Sequence, residues 1–171
     1  RRGRNTQVMY FPRGTYLLEK GVHMKIDRSR SGQSHSHGPW VVGESMTETI
    51  FRLNDNTWPE PAIMIPVPLA QRRSMWHATG TMTEQVVFSA GDATNTTFNK
   101  LIRNITINIG KGNAGAIGMV YNNSNSGAMS DIRIVSEDGK GHLGLAITGS
   151  EPGPGQVRRV LIDGFNTGIH C

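Results

Sequence analysis

The sequence has a single cysteine, and Cys171 is its last residue. A disulfide framework within the chain is therefore excluded. Long hydrophobic runs are missing as well. No apolar stretch approaches ~20 residues, so no membrane-spanning helix is encoded. Aromatic residues make up only 6% of the chain and are scattered. A nucleic-acid binder would interleave them with a basic stripe. Here much of the formal net charge of +5 sits in two short clusters, Arg1-Arg2-Gly3-Arg4 and Arg72-Arg73. Nucleic acid is set aside as a partner on that ground, and an acidic polysaccharide suits a cationic chain better. No segment repeats apolar residues every three or four positions, which excludes helical repeats. No secretory leader is visible, and Arg1 stands only a few residues before a strand, so the chain is expected to start inside a domain.

Glycine, in contrast, is frequent, at 21 of 171 residues. The length suffices for one domain with a core. Short runs of Ile, Val and Leu argue against disorder. The early strands are Gln7 to Phe11, Thr15 to Leu18, Val22 to Ile26, Trp40 to Gly43 and Thr49 to Leu53, with a polar loop over residues 27–38. Residues 54–85 hold four of the eight prolines and two of the three tryptophans. A stretch this long without regular pattern reads as an insert.

From about residue 86 the pattern becomes periodic. Arg103-Asn104-Ile105-Thr106-Ile107 is echoed by Ser130-Asp131-Ile132-Arg133-Ile134, then by Arg158-Arg159-Val160-Leu161-Ile162. The steps are 27 residues from Ile105 to Ile132 and 28 from Ile132 to Val160. A second strand follows each copy, at Gly118-Met119-Val120, Gly144-Leu145-Ala146 and Gly168-Ile169-His170. Two unlike strands recurring in fixed order at a shared period mark a solenoid. The expected fold is all-β, a parallel β-helix, incomplete at both ends. Residues i and i+2 share a face of a strand. Ile105, Ile132 and Val160 should form one inward column, and Ile107, Ile134 and Ile162 another. Asn104, Thr106, Asn108, Asp131, Arg133, Val135, Arg159, Leu161 and Asp163 should point outward as an exposed, ridged face.

Phe11-Pro12-Arg13-Gly14-Thr15-Tyr16 resembles the "fPpGtY" motif of the pectate-lyase-like domain of rhamnogalacturonases, epimerase-like proteins and some β-1,3-glucanases. Gly43-Glu44 with Thr49 to Leu53, Gly91 to Asn95 with Asn104 to Ile107, and Gly112 to Gly118 are similar to further rungs of that family. The resemblance covers most of the chain outside residues 54–85. It implies a right-handed parallel β-helix of the pectin-lyase-like kind and a carbohydrate-active enzyme, a glycoside hydrolase or polysaccharide lyase acting on a plant or algal polysaccharide, secreted or periplasmic. It also implies an acidic helical cap before the first strand and catalytic carboxylates on later rungs. The alternative is a non-catalytic β-helix that binds glycans or serves as an adhesin or tailspike module. No cofactor is expected, save calcium for a lyase. The sequence leaves the oligomeric state open.

Hydrolysis of a glycoside needs two carboxyl groups facing one cleft. Glu137 and Asp138 are adjacent within Ser136-Glu137-Asp138-Gly139, which reads as a turn. Asp131 stands beneath Arg159 as a surface ion pair. The substrate-binding candidates are Arg133, whose guanidinium suits a sugar carboxylate, Asp163, His170, and Trp58 and Trp76, whose rings suit sugar faces. His35 and His37 lack a third zinc ligand. Asp92 lies in a glycine turn. With no competent carboxylate pair, the chain on its own is expected to be inactive and prone to associate through its open ends.

Overall fold

The computed structural model describes residues 8–24, 36–60, 85–90, 97–122, 126–147 and 155–171. Among them are fourteen strands and no helix. In chain order these are β1 (Val8–Phe11), β2 (Gly14–Leu18), β3 (Val22–Met24), β4 (Ser36–His37), β5 (Trp40–Gly43), β6 (Thr49–Leu53) and β7 (Val86–Ala90). They continue with β8 (Thr97–Phe98), β9 (Leu101–Asn108), β10 (Ile117–Tyr121), β11 (Gly127–Val135), β12 (Gly141–Ala146), β13 (Gly155–Asp163) and β14 (Phe165–His170).

Every pairing is parallel. One sheet runs β1-β5-β9-β11-β13, with β2 on β6 and β6 on β9; another runs β3-β7-β10-β12-β14. Each coil adds a strand to both sheets, and the result is a parallel β-helix. The register puts Ile105 on Ile132 and Ile132 on Val160, and Ile107 on Ile134 and Ile134 on Ile162. Ile105, Ile107, Ile132 and Ile134 are fully buried, so the two expected columns are the core.

Strict alternation fails at one place. Asn104, Asp131 and Arg159 all have positive φ, at 58°, 57° and 48°. They stand one above another, between paired neighbours of known register. A left-handed residue breaks the period of two. The inward residue before the break therefore lies three positions ahead of Ile105 and Ile132, at Ile102 and Met129, both fully buried. The break divides the long strands into two wings. The first wing carries β1, β5 and the first halves of β9, β11 and β13. The second carries β2, β6 and the second halves.

Two further expectations need correction. The outer face is not uniformly open, since Thr106 is 1% exposed and Val135 6%. Thr106 Oγ1 donates to the Met46 carbonyl at 2.5 Å, so the β5–β6 link covers it. The loop over residues 27–38 is also not wholly irregular, because Ser36 and His37 pair with Thr97 and Phe98. The tip of that loop and the bulk of the 54–85 insert lie outside the described residues.

Glycine has a packing role in the upper coils. A Cβ on Gly118 would meet Ile134 Cγ2 at 2.4 Å, and one on Gly144 would meet Ile162 Cγ2 at 2.4 Å. The glycine column leaves room for the isoleucine column. Lys100 is buried, so its ammonium needs acceptors. It donates to the carbonyls of Ala90 and Asn122 and lies 5.5 Å from the centre of the Tyr121 ring. Burial also pushes the Tyr121 hydroxyl well above its usual pKa.

Candidate functional site

On the second wing, register stacks Arg52 under Asn108, then Val135, then Asp163. Beside this ladder the turns after β6, β9 and β11 stack as well. Asn113 ties the first two together, and the Gly112 amide, donating to Asp138, adds the third. Asn113 Nδ2 donates to the carbonyls of Asn54 at 2.9 Å and Ile109 at 2.6 Å, and its Oδ1 accepts from the Trp58 amide at 2.7 Å. Asn113 is 1% exposed, so these bonds also satisfy a buried amide.

Arg52 reaches across two turns. Its Nε and Nη2 donate to Glu137 Oε1 at 2.7 Å and Oε2 at 2.9 Å, and Nη2 also donates to Asp55 Oδ1 at 2.7 Å. Asn108 Nδ2 donates to Glu137 Oε1 at 2.9 Å. Asp138 turns the other way, accepting from the Gly112 amide at 2.8 Å and from Ser136 Oγ at 2.9 Å. The two adjacent carboxylates therefore diverge. The Arg52 guanidinium holds Glu137 below the usual carboxylate range, and the Lys111 amide, then Arg52, do the same for Asp55. The Gly112 amide lowers Asp138. A glycosidase acid must keep its proton near neutral pH, and these three carboxyls are tuned the opposite way. Asp131 accepts from Nε and Nη2 of Arg159, at 2.5 and 2.6 Å, and is lowered by that contact.

The sequence candidates do not converge. Arg133 is half-buried on the second wing, stacked between Thr106 and Leu161. Its guanidinium makes no ion pair within 4.0 Å with a described residue. Asp163 is exposed at the end of the neighbouring column. His170 is exposed on β14, which belongs to the other sheet. Trp58 is partly buried and packs against the main core. Trp76, His35 and Asp92 lie outside the described residues. His37 is in β4. Among the described residues no three of His, Cys, Asp and Glu are gathered as for a metal ion.

Sequence reasoning passed over the first wing. Register there stacks Val8, Trp40, Leu101, Ala128 and Gln156 in one outer column. The next column is Tyr10, Val42, Arg103, Ser130 and Arg158. Tyr10 is 57% exposed and Trp40 39%. The only sequence signal was an aromatic at an outward strand position, where a polar residue is the norm.

A profile of known relatives matches residues 2–171, nearly the whole chain. The chain belongs to the rhamnogalacturonase A/epimerase, pectate lyase-like family. No curated protein and no solved structure matches it. The family's "fPpGtY" segment has a visible physical purpose here. Phe11 meets Phe51 edge-on at 4.9 Å between centroids, and Tyr16 stacks on Phe51 at 5.3 Å. Tyr16 OH donates to the Pro12 carbonyl at 2.9 Å. Gly14 supplies a φ of 152° between the two strands. The motif thus closes the first coil over an aromatic core. Membership supports a carbohydrate-active or carbohydrate-binding β-helix. No described helix is long and apolar enough to cross a membrane, which leaves strands unaddressed.

Proposed function

We propose that this chain forms the scaffold and part of the glycan-contacting surface of a secreted carbohydrate-active protein. Its substrate class is a plant or algal polysaccharide that carries carboxylates. The supporting observation is Arg133, a half-buried guanidinium on the outer face of the second wing with no described ion-pair partner. Such a group is primed for a planar anion. Asp163, one column away, would take sugar hydroxyls. The chemistry proposed for the protein is glycoside hydrolysis or polysaccharide elimination.

A second reading, a non-catalytic glycan-binding module, is favoured by the carboxylates. Glu137, Asp55 and Asp131 are each held by an arginine and Asp138 by backbone amides, which leaves none of them to act as acid or base. Among the described residues calcium for a lyase finds no fitting donor set, because the guanidinium of Arg52 occupies the space that Asp55 and Glu137 share. No step through calcium is derived.

The test is incubation with polygalacturonate, pectin and β-glucan, followed for new reducing ends and for unsaturated uronate products. Reducing ends alone support hydrolysis, and unsaturated ends support elimination. Binding without either product supports the second reading. Neither product nor binding rejects a carbohydrate role for the chain.

A further inference from the structure

The geometry points to a second anionic-glycan site, on the outer face of the first wing, built from Trp40, Tyr10, Arg103 and Arg158. It rests on the reading that the protein handles glycans, and it names a different face and different residues from Arg133.

Outward strand positions are normally polar when they meet solvent. Here the two lowest coils expose Trp40 and Tyr10. The indole is also fixed in place, since Trp40 Nε1 donates to the Asn99 carbonyl at 2.9 Å. An exposed ring held at one orientation offers a flat apolar platform at little further ordering cost. Sugar rings present flat C–H faces to such platforms.

Charge on this wing is one-sided. Arg103 and Arg158 are exposed, outward, and two rungs apart in the column that also carries Tyr10. Rungs are spaced ~4.8 Å, so the two arginines stand roughly 10 Å apart along the helix axis. Neither makes an ion pair within 4.0 Å with a described residue. None of the outer positions of this wing is acidic. The carboxylates nearest to its edge are already engaged, Glu44 by Arg13 at 3.2 Å and Asp131 by Arg159 at 2.5 Å. Beside Arg158 the surface falls into a shallow groove of about 380 Å³, lined by Ser126, Gly127, Ala128, Gly155 and Gln156. Small residues there leave space for a bulky chain. A chain lying along the axis would stack on Trp40 and Tyr10, pass the arginines and enter the groove. Carboxylates spaced along the glycan fit this surface better than a neutral glycan does, because each arginine can engage one bidentately.

The test uses the whole chain, with polygalacturonate as probe and fully methyl-esterified pectin as the uncharged match. The double variant Arg103→Gln/Arg158→Gln should lose roughly tenfold or more in affinity for polygalacturonate, while its weaker affinity for the ester stays unchanged. Trp40→Ala should weaken both. Tyr10→Ala, which removes a more exposed ring, serves if Trp40→Ala melts early. Lys140→Gln, on the opposite corner, removes a charge elsewhere and should bind as the parent does. Equal binding by the parent and the double arginine variant overturns this site while leaving the functional reading standing. Failure of the parent to bind either polysaccharide overturns the functional reading itself, and this site with it.

Discussion

The lower two coils and the upper coils solve the same packing problem with different side chains. In the lower coils Phe11, Tyr16, Phe51 and Phe88 fill the interior with rings, Phe51 and Phe88 lying 5.7 Å apart. From β9 onward the matching columns are Ile105, Ile132 and Val160, and Ile107, Ile134 and Ile162. The corners between the wings differ in step. Below, β1 and β2 are joined through Pro12-Arg13, and β5 and β6 through residues 44–48. Above, one left-handed residue per coil makes the corner. The upper interior still admits rings, since Tyr121 is buried in the same core and Phe165 packs against it. Its isoleucine columns lie close against glycine, Gly118 facing Ile134 and Gly144 facing Ile162. The contrast is thus one of filling, with rings clustered below and isoleucine set against glycine above.

Deleting a ring below and a branched chain above should separate the two solutions. Phe51 contacts three other rings and is 4% exposed. Phe51→Ala should cost about 3–5 kcal/mol, and Ile134→Ala about 2–5 kcal/mol. Urea unfolding measures both. A loss for Phe51→Ala no larger than that of an exposed substitution would mean that the lower coils are not held by their rings. The opposite change, overfilling, tests the glycine column of the upper coils. Gly144→Ala puts a Cβ 2.4 Å from Ile162 Cγ2 and 2.7 Å from the Gly168 carbonyl, and should cost about 1–3 kcal/mol. Ile162→Val in the same chain should return part of that loss. A strictly additive double variant would show that room for Ile162 is not what the glycine serves.

The upper coils were legible in the sequence because their repeats are regular. The 27- and 28-residue steps placed Ile105, Ile132 and Val160 correctly, and the glycine echoes marked β10, β12 and β14. Of the contacts between coils, the Asp131–Arg159 pair was legible from the same alignment, and the others escaped. The shift to Ile102 and Met129 follows from a left-handed backbone that Asn104 and Asp131 tolerate but do not announce. The cover over Thr106 comes from Met46, 60 residues away. The Arg52–Glu137 pair spans 85 residues. Trp40 and Tyr10 were read as strand formers, since a strand pattern does not say which face meets solvent until the register is known.

A smaller effect should separate the charged turn stack of the second wing from the uncharged core beneath it. Arg52 and Glu137 are 22% and 28% exposed at the side chain. Arg52→Met strands Glu137 and Asp55, and should cost about 1–2 kcal/mol, between the values for exposed and buried pairs. The pH dependence has a definite sign. Glu137 has a folded pKa below its unfolded value. Its contribution is complete above the unfolded value, from about pH 5 upward, and is lost as pH falls through the lower folded value. The stability gap between the parent and Arg52→Met should therefore narrow as pH falls from about 5 to 2. Melting temperatures across that range check it. A gap that widened in acid would contradict the assigned pairing.

The smallest effect lies at the corner itself, where backbone and charge oppose each other. Arg159 holds φ at 48°, a conformation that costs most residues about 1–2 kcal/mol and glycine almost nothing. It also grips Asp131 through two short contacts, although its side chain is 57% exposed. Exposed pairs contribute about 0–1 kcal/mol and weaken with salt. Arg159→Gly removes strain and pair together, and glycine also frees the unfolded chain. These terms nearly cancel, so at low salt the variant should lie within about 1 kcal/mol of the parent. Salt discriminates between them. At high ionic strength the parent loses the benefit of the pair but keeps its strained backbone, so the variant should gain relative to it. Asn104→Gly, at the same corner two coils lower in the ladder and with no charge involved, should show no such salt response. A salt-independent difference at Arg159 would mean that the Asp131 contact contributes nothing, and that the arginine is tolerated there by the backbone alone.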